Sequence, residues 1–271
     1  SSHQARPCGP MESSTTGWCS PVETLDGGAP LAYASDACYL LCLRSEEKIL
    51  PPAVVQARLD ARIQQIEEEE SRTPSRKERK QLKEDIYNEL LPRAFTTTKA
   101  MLGYIDLVSQ QIVVNASSLS KAEEFVSRLR QTLGSLPARP LMVHGSPELQ
   151  MTLWLGGAEL PDGFALHDNC ELRQDEAVVT CRGETLAASA EIRSHLDAGK
   201  IATQVGLRWE ESDIAFVLTD QPAIKGLRFG EVLQEQAAAD SDGDAMAQFD
   251  ADFTLMALEL RVAAPALERR L

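Results

Sequence analysis

The sequence predicts an α+β fold of mixed and antiparallel sheets with helices, from which an αα-hairpin projects. Three observations carry this expectation. Short apolar stretches of strand type sit in neighbouring pairs joined by turns, instead of alternating singly with helices as a doubly wound parallel sheet requires. Between residues 51 and 92, two stretches repeat their apolar residues at helical steps, with one narrow stripe each. The chain has 271 residues and a hydrophobic fraction of 43%, enough for one large domain or two modest ones with real cores.

The first thirty residues, S-S-H-Q-A-R-P-C-G-P and onward to Pro30, read as loop. Residues 31–43, L-A-Y-A-S-D-A-C-Y-L-L-C-L, read as one or two strands, and their nearly continuous apolar content suits cover on both faces. Pro51 and Pro52 open a helix, because the first turn has backbone amides to spare. Val55, Leu59, Ile63 and Ile66 then form a single stripe. This helix closes in E-E-E-E (67–70), where carboxylates oppose the macrodipole, so another interaction must favour that end or it frays. Thr73 is the expected N-cap of the next helix, with Pro74 at its first position. That helix carries Leu82, Ile86 and Leu90 and stops at Pro92.

A-M-L-G-Y-I-D-L-V and Q-Q-I-V-V-N-A read as a strand pair. A helix follows over about 118–134, with Ser120 and Glu123 at capping-box spacing and Gly134 as its stop. G-S-L-P-A-R-P-L marks a boundary near 140–150. In the second half T-L-W-L is a short element and E-A-V-V-T-C a strand. A helix over 187–198 stops at Gly199. I-A-T-Q-V-G-L-R-W and D-I-A-F-V-L-T-D pair as strands, and K-G-L-R-F is extended. The closing helix puts Phe249, Phe253, Met256 and Leu260 on one face. The domain reading is therefore a central α+β domain over 1–49 and 95–145, a helical hairpin tip over 50–94, and a second α+β base domain over 146–271.

The net charge is −14, from 27 Lys and Arg against 41 Asp and Glu. Alone, this opposes binding to a polyanion, but a polyanion feels the local pattern of charge. From Arg72 to Lys83 there are six cations and one carboxylate, and Arg76, Lys77, Lys80 and Lys83 can share a helical face. Two readings stand: a solvated face neutralised by E-E-E-E across the hairpin, or an arm that contacts phosphates. Just beyond Pro92, Arg93 can hold a phosphate bidentately and Phe95 can stack on or wedge between bases. The alternative for Phe95 is a core anchor.

Other chemistry finds little support. The six cysteines form no C-x-x-C pair and no zinc-finger spacing with the four histidines, 3, 144, 167 and 195; they read as buried, reduced thiols of a cytoplasmic protein. No phosphate loop, dinucleotide fingerprint or nucleophile elbow occurs, so neither catalysis nor a cofactor is expected. In a helix over 245–261, Asp250 and Asp252 point about 200° apart and cannot chelate one ion. D-S-D-G-D (240–244) has its Gly fourth instead of sixth and no Glu twelfth, so it fails as a calcium loop. No metal site is expected. No run of eighteen apolar residues exists, so no membrane span is expected.

Six blocks stand in the order and spacing of RdgC, the bacterial recombination-associated family, which the chain resembles over nearly its whole length. They are S-E-E-K-I-L-P (45–51), L-L-P-R-A-F (90–95), L-G-S-L-P-A-R-P-L (133–141), H-L-D-A-G-K (195–200), L-R-W (207–209) and F-D-A-D-F-T-L-M (249–256). The family's P-C-G block matches Pro7 to Gly9, and the strand and helix that precede it in the family lie outside this sequence. The resemblance implies a crescent monomer that pairs into a ring-shaped homodimer. It implies binding to double- and single-stranded DNA without sequence specificity, antagonism of RecA, a role at replication forks, and a cytoplasmic, nucleoid-associated location. It places Arg93 and Phe95 in a DNA-contacting finger at a dimer gate. More loosely, it assigns Arg182 and the inner-wall candidates Lys48, Lys99, Lys121 and Lys200. The segment from Arg76 to Lys83 comes from charge pattern alone. Two other classes remain: a Mg²⁺-dependent DNA exonuclease using Asp250 and Asp252, and a protein-interaction module whose hairpin binds a partner such as RecA.

Overall fold

A computed structural model describes residues 3–22, 30–140, 145–183, 186, 189–221, 223–231, 235 and 244–268. The chain divides into two units. One comprises Ser1–Ala34, Tyr39–Ile105 and Ile112–Leu136; the other comprises Ser35–Cys38, Asp106–Gln111 and Pro137–Leu271.

The first unit is built on strands β1 (Ser14–Cys19), β2 (Ala32–Ser35), β3 (Cys38–Ile49), β4 (Phe95–Asp106) and β5 (Gln111–Val114). Their spatial order is β1-β3-β4-β5, with β2 also on β3. β1 and β3 are antiparallel, with Gly17 opposite Arg44. Asp36 and Ala37 turn β2 into β3 with positive φ at both residues, as a two-residue hairpin loop demands. Helices α1 (Pro52–Glu70), α2 (Arg76–Leu90) and α3 (Leu119–Leu133) complete the unit. Its core joins Trp18, Leu43, Phe125 and Leu129. Trp18 meets Phe125 edge to face at 5.2 Å, and its Nε1–H donates to Thr132 Oγ1 at 2.8 Å. Gly103 lets β4 lie under that ring, because a Cβ there would come within 2.7 Å of Phe125. The pair α1 and α2 has its own apolar cluster of Val55, Leu59 and Ile86, flanked by Ile63, Leu82 and Leu90.

The second unit holds β6 (Phe164–Gln174), β7 (Ala177–Arg182), β8 (Ile201–Trp209), β9 (Ile214–Thr219) and β10 (Ile224–Phe229), with α4 (Pro147–Leu155), α5 (Ala190–Asp197) and α6 (Ala245–Glu268). The sheet order is β10-β9-β8-β6-β7, and every neighbouring pair is antiparallel. β8 lies at its centre. Ala202, Val205 and Leu207 are buried there with Met151, Trp154 and Leu172. The mixed α+β expectation, with hairpin-connected antiparallel strands, agrees with this architecture.

Several local expectations are corrected. β1 lies in the stretch read as loop; only Trp18 and Cys19 break its polar run S-T-T-G. T-L-W-L is the end of helix α4, which Ser146 caps by accepting the Leu149 N–H at 3.2 Å. The sequence reading gives no strand at β6, although Phe164, Leu166, Cys170 and Leu172 fall on alternate positions. Its register shifts against β8 between Leu166 and Cys170 blur that alternation. Ser118, not Ser120, caps α3. The six cysteines are free thiols, but only Cys38, Cys42 and Cys170 are buried, with Cys8, Cys19 and Cys181 partly exposed; two pairs face each other across neighbouring strands, Cys19 with Cys42 and Cys170 with Cys181. Burial pushes the Cys42 and Cys170 thiols up to about 12, which keeps them protonated and inert.

Arg261 of α6 binds the two short turn segments of the second unit. Its Nε donates to Asp106 Oδ2 at 2.7 Å, and its Nη2 donates to the Asp36 carbonyl at 3.1 Å. The Asp106 side chain is only 3% exposed. Burial alone pushes its carboxyl up, but Arg261, the Ser109 hydroxyl and the N–H groups of Val108 and Ser109 together outweigh burial and hold it below its ordinary value. A depressed folded-state value contributes stability that is complete above the unfolded value, about pH 4, and is lost as pH falls through the folded value. Asp106→Asn should therefore lower the urea midpoint at neutral pH and flatten its further fall in acid. Denaturation curves of both proteins from neutral pH to about pH 3 check this.

Candidate nucleic-acid interface

The candidate surface starts at the beginning of α2. Ser75 is the N-cap: its Oγ accepts the Glu78 N–H at 3.3 Å, and the Glu78 carboxylate accepts the Ser75 N–H at 2.8 Å. This corrects the expected Thr73 cap. Glu stands three residues after Ser75 and satisfies a second amide, whereas three residues after Thr73 stands Arg76, which cannot accept. The Ser75 N–H, then its hydroxyl and Arg72, hold the Glu78 carboxyl down to about 2. Upstream, the carboxylates ending α1 are held by Gln64 on Glu68, Gln65 on Glu69 and Arg72 on Glu70, and these bonds offset the unfavourable dipole.

Ile86 is the buried residue of α2, with Leu82 and Leu90 beside it. Counting about 100° per residue from Ile86, Lys83 lies near 60°, Arg76 near 80° and Lys80 near 120°. Asp85, Glu78 and Glu89 lie near 260–300°. The helix thus separates its charges, with cations along one flank of the apolar stripe and most carboxylates along the other. Lys77 sits about 100° from Arg76, at the margin of the row rather than in it. Lys80 is 82% exposed and lies 3.9 Å from Glu84. Among the described residues no carboxylate approaches Arg76, Lys77, Lys83 or Arg93 within 4 Å. The E-E-E-E run meets only Arg72 of the basic segment.

Beyond α2 the chain turns in one 3₁₀ turn, Leu91–Arg93, and enters β4 at Phe95. Leu91 is buried, and Pro92 has no amide to continue the helix, so the break is anchored from inside. Arg93 and Phe95 are both left outside. Phe95 is 84% exposed and therefore anchors no core of this chain.

The other candidates are more occupied. Lys99 lies 4.0 Å from Glu47 of β3, Lys121 pairs with Glu124 at 2.7 Å, and Lys48 donates to the Pro10 carbonyl at 2.6 Å. In the second unit, Arg182 ends β7 beside a cleft that also carries Asp168 and Glu171, and Lys200 is half-buried ahead of β8. The structure thus gathers Arg76, Lys80 and Lys83 on one row, and it does not gather Lys48, Lys99 or Lys121 with them on α2. The sequence reading does not single out Tyr87, an uncharged residue near 100° on the same flank; its signal is the spacing from Lys80 and Lys83, seven and four residues.

Asp250 and Asp252 do fall on one helix, α6, and Asp252 accepts Gln248 Nε2 at 2.8 Å. Residues 240–243 of D-S-D-G-D, and His144, lie outside the described residues. No group of three or more His, Cys, Asp or Glu side chains among the described residues is placed to hold a metal ion. No helix among them is long and apolar enough to cross a membrane.

Fold and surface together define an α+β protein of two antiparallel-sheet units that presents a charge-segregated helix. The particular family follows from comparison with known proteins. A family model described as "Putative exonuclease, RdgC" matches residues 1–271. The recombination-associated protein RdgC of Pseudomonas aeruginosa PAO1 is 42% identical over 266 residues, covering 97% of this chain and 86% of the relative. That of Psychromonas ingrahamii is 39% identical over 265 residues, with the same coverage. That of Pseudomonas syringae pv. tomato is 41% identical over 257 residues, covering 94% and 83%. The chain belongs to the RdgC family.

The Ser75–Glu78 box gives a local prediction. Ser75→Ala should cost about 1 kcal/mol of stability, and Ser75→Asp should restore most of it. Hydrogen exchange should show faster opening confined to the first turn of α2, with the sheets unchanged.

Proposed function

We propose that this chain binds DNA without reading its sequence, through the cationic row of α2 together with Arg93 and Phe95. The observation that carries the reading is the separation of charge on α2 in a chain of net charge −14. Arg76 to Lys83 spans about 10 Å of helix axis, the axial rise of about three nucleotides of one strand. Cations spaced in this way meet phosphates, whose repeat is independent of sequence. Phe95, wholly outside, offers a ring that can stack on or wedge against bases.

Membership of RdgC supports the rest of the proposal. α1 and α2 form a projecting hairpin tip; two copies pair into a ring around the duplex; Lys99, Lys121, Arg182 and Lys200 contribute to the wall that faces DNA. An encircling sheath attenuates RecA-driven strand exchange by occupying the duplex, which is the sense in which we read the relatives' description as recombination-associated. The location that follows is cytoplasmic and nucleoid-associated. A second reading, a divalent-metal-dependent exonuclease, is favoured by the description of the matching family model.

Affinity for random duplexes across a salt series tests the binding reading. Log affinity should fall steeply with log salt, and Arg76→Glu, Lys80→Glu and Lys83→Glu should each weaken all sequences alike and reduce the slope by about one per lost contact. A ring should also stay on a nicked circle at salt that strips it from linear duplex. A flat salt response would remove the electrostatic basis. Labelled DNA incubated with Mg²⁺ or Mn²⁺ serves as the control: products that vanish in Asp250→Ala would favour the exonuclease reading.

A further inference from the structure

Beside the cationic row, Leu50 and the start of α1 line, together with α2, an open cleft of about 640 Å³, within the range of small-ligand sites. Leu50, Pro52 and Val55 make its apolar side. Across from them stand Lys80, Lys83, Tyr87 and Asn88 of α2. Tyr87 lines the cleft and is 37% exposed. Phosphates of an intact duplex have no need of such a cleft, since the exposed ammonium groups meet them from outside. We infer that the cleft takes one unstacked nucleotide of a DNA strand, as found at an overhang or a gap. This inference rests on the DNA-binding reading above and deepens it.

Each group on the wall matches one part of a nucleotide. The apolar side and the Tyr87 ring provide an apolar contact for a base, and base–aromatic stacking works for any base because all have a π-face. The Asn88 amide both donates and accepts, so it can meet a base edge of either polarity. The Lys80 and Lys83 ammonium groups, also lining the cleft, hold the attached phosphate as point charges. Glu84, which also lines the cleft and lies 3.9 Å from Lys80, accepts from an exocyclic amine and discourages a second phosphate from entering. A base stacked inside a duplex cannot reach this wall, so the site distinguishes interrupted from continuous double strands without reading sequence.

The experiment compares a blunt duplex with the same duplex carrying a three-nucleotide single-stranded overhang, by fluorescence anisotropy at fixed salt. The variants are Tyr87→Ala and Tyr87→Phe, neither of which changes charge. The expected result is tighter binding of the overhang substrate by wild type. Tyr87→Ala should lose about tenfold on that substrate and nothing on the blunt one, with Tyr87→Phe close to wild type. A deoxynucleoside monophosphate added as competitor should weaken the overhang complex only. Three outcomes overturn the inference while duplex binding stands: no preference for the overhang, an equal loss by Tyr87→Ala on both substrates, or binding of the free nucleotide with no effect on the overhang complex. Absence of affinity for either DNA overturns the DNA-binding reading itself, and this inference with it.

Discussion

The apolar stripe of Leu82, Ile86 and Leu90, packed against Val55, Leu59 and Ile63, sets how α2 is rotated about its own axis. Every charge on that helix then has a determined direction. The magnitudes show why the stripe decides the matter. Full burial of one aliphatic side chain contributes about 1.5–3 kcal/mol, whereas an exposed ion pair such as Lys80–Glu84 contributes about 0–1 kcal/mol. The ion pairs therefore follow the rotation and do not set it. With Ile86 inward, Arg76, Lys80, Lys83 and Tyr87 fall on one flank, and Glu78, Asp85 and Glu89 fall on the other.

The same constraint reconciles an acidic protein with a polyanionic ligand. A net charge of −14 repels a phosphate backbone at long range, but at 0.15 M ionic strength exposed charges are screened within about 8 Å. Inside that distance, what matters is which charges face the ligand. The capping box at Ser75 adds to the effect, because it engages Glu78, the one carboxylate between Arg72 and Lys83, in bonds to backbone and to Arg72. The exit from α2 works similarly. Leu91 is buried, Pro92 ends the helix, and the next exposed groups are Arg93 and Phe95.

Much of this was legible in the sequence where one physical effect dominated. The stripes of α1 and α2 follow from periodicity alone, and the break at Pro92 from a missing amide. The strand β8 follows from its alternation, and β9 from its pairing with it. Legibility failed where effects compete. β1 is a polar strand held by backbone pairing to β3, and composition does not report that pairing. β6 has its alternation interrupted by register shifts against β8. The N-cap moved from Thr73 to Ser75 because reciprocal bonding with Glu78 outweighs a proline at the first position. Phe95 is aromatic and could as well have been core. Its outward place is decided by the burial of Leu91 just before it. Tyr87 is hard to place from sequence, because an aromatic residue four positions after a lysine reads as part of the apolar face until the rotation of the helix is known.

The central claim is that α2 presents its cationic flank to DNA. The most direct measurement is reactivity of individual lysines to acetylation, read by mass spectrometry with and without duplex DNA at moderate salt. The account predicts that Lys80 and Lys83 are protected in the complex, while Lys225, exposed on β10, labels as before. Unchanged labelling of Lys80 and Lys83 under conditions where DNA is bound would contradict it.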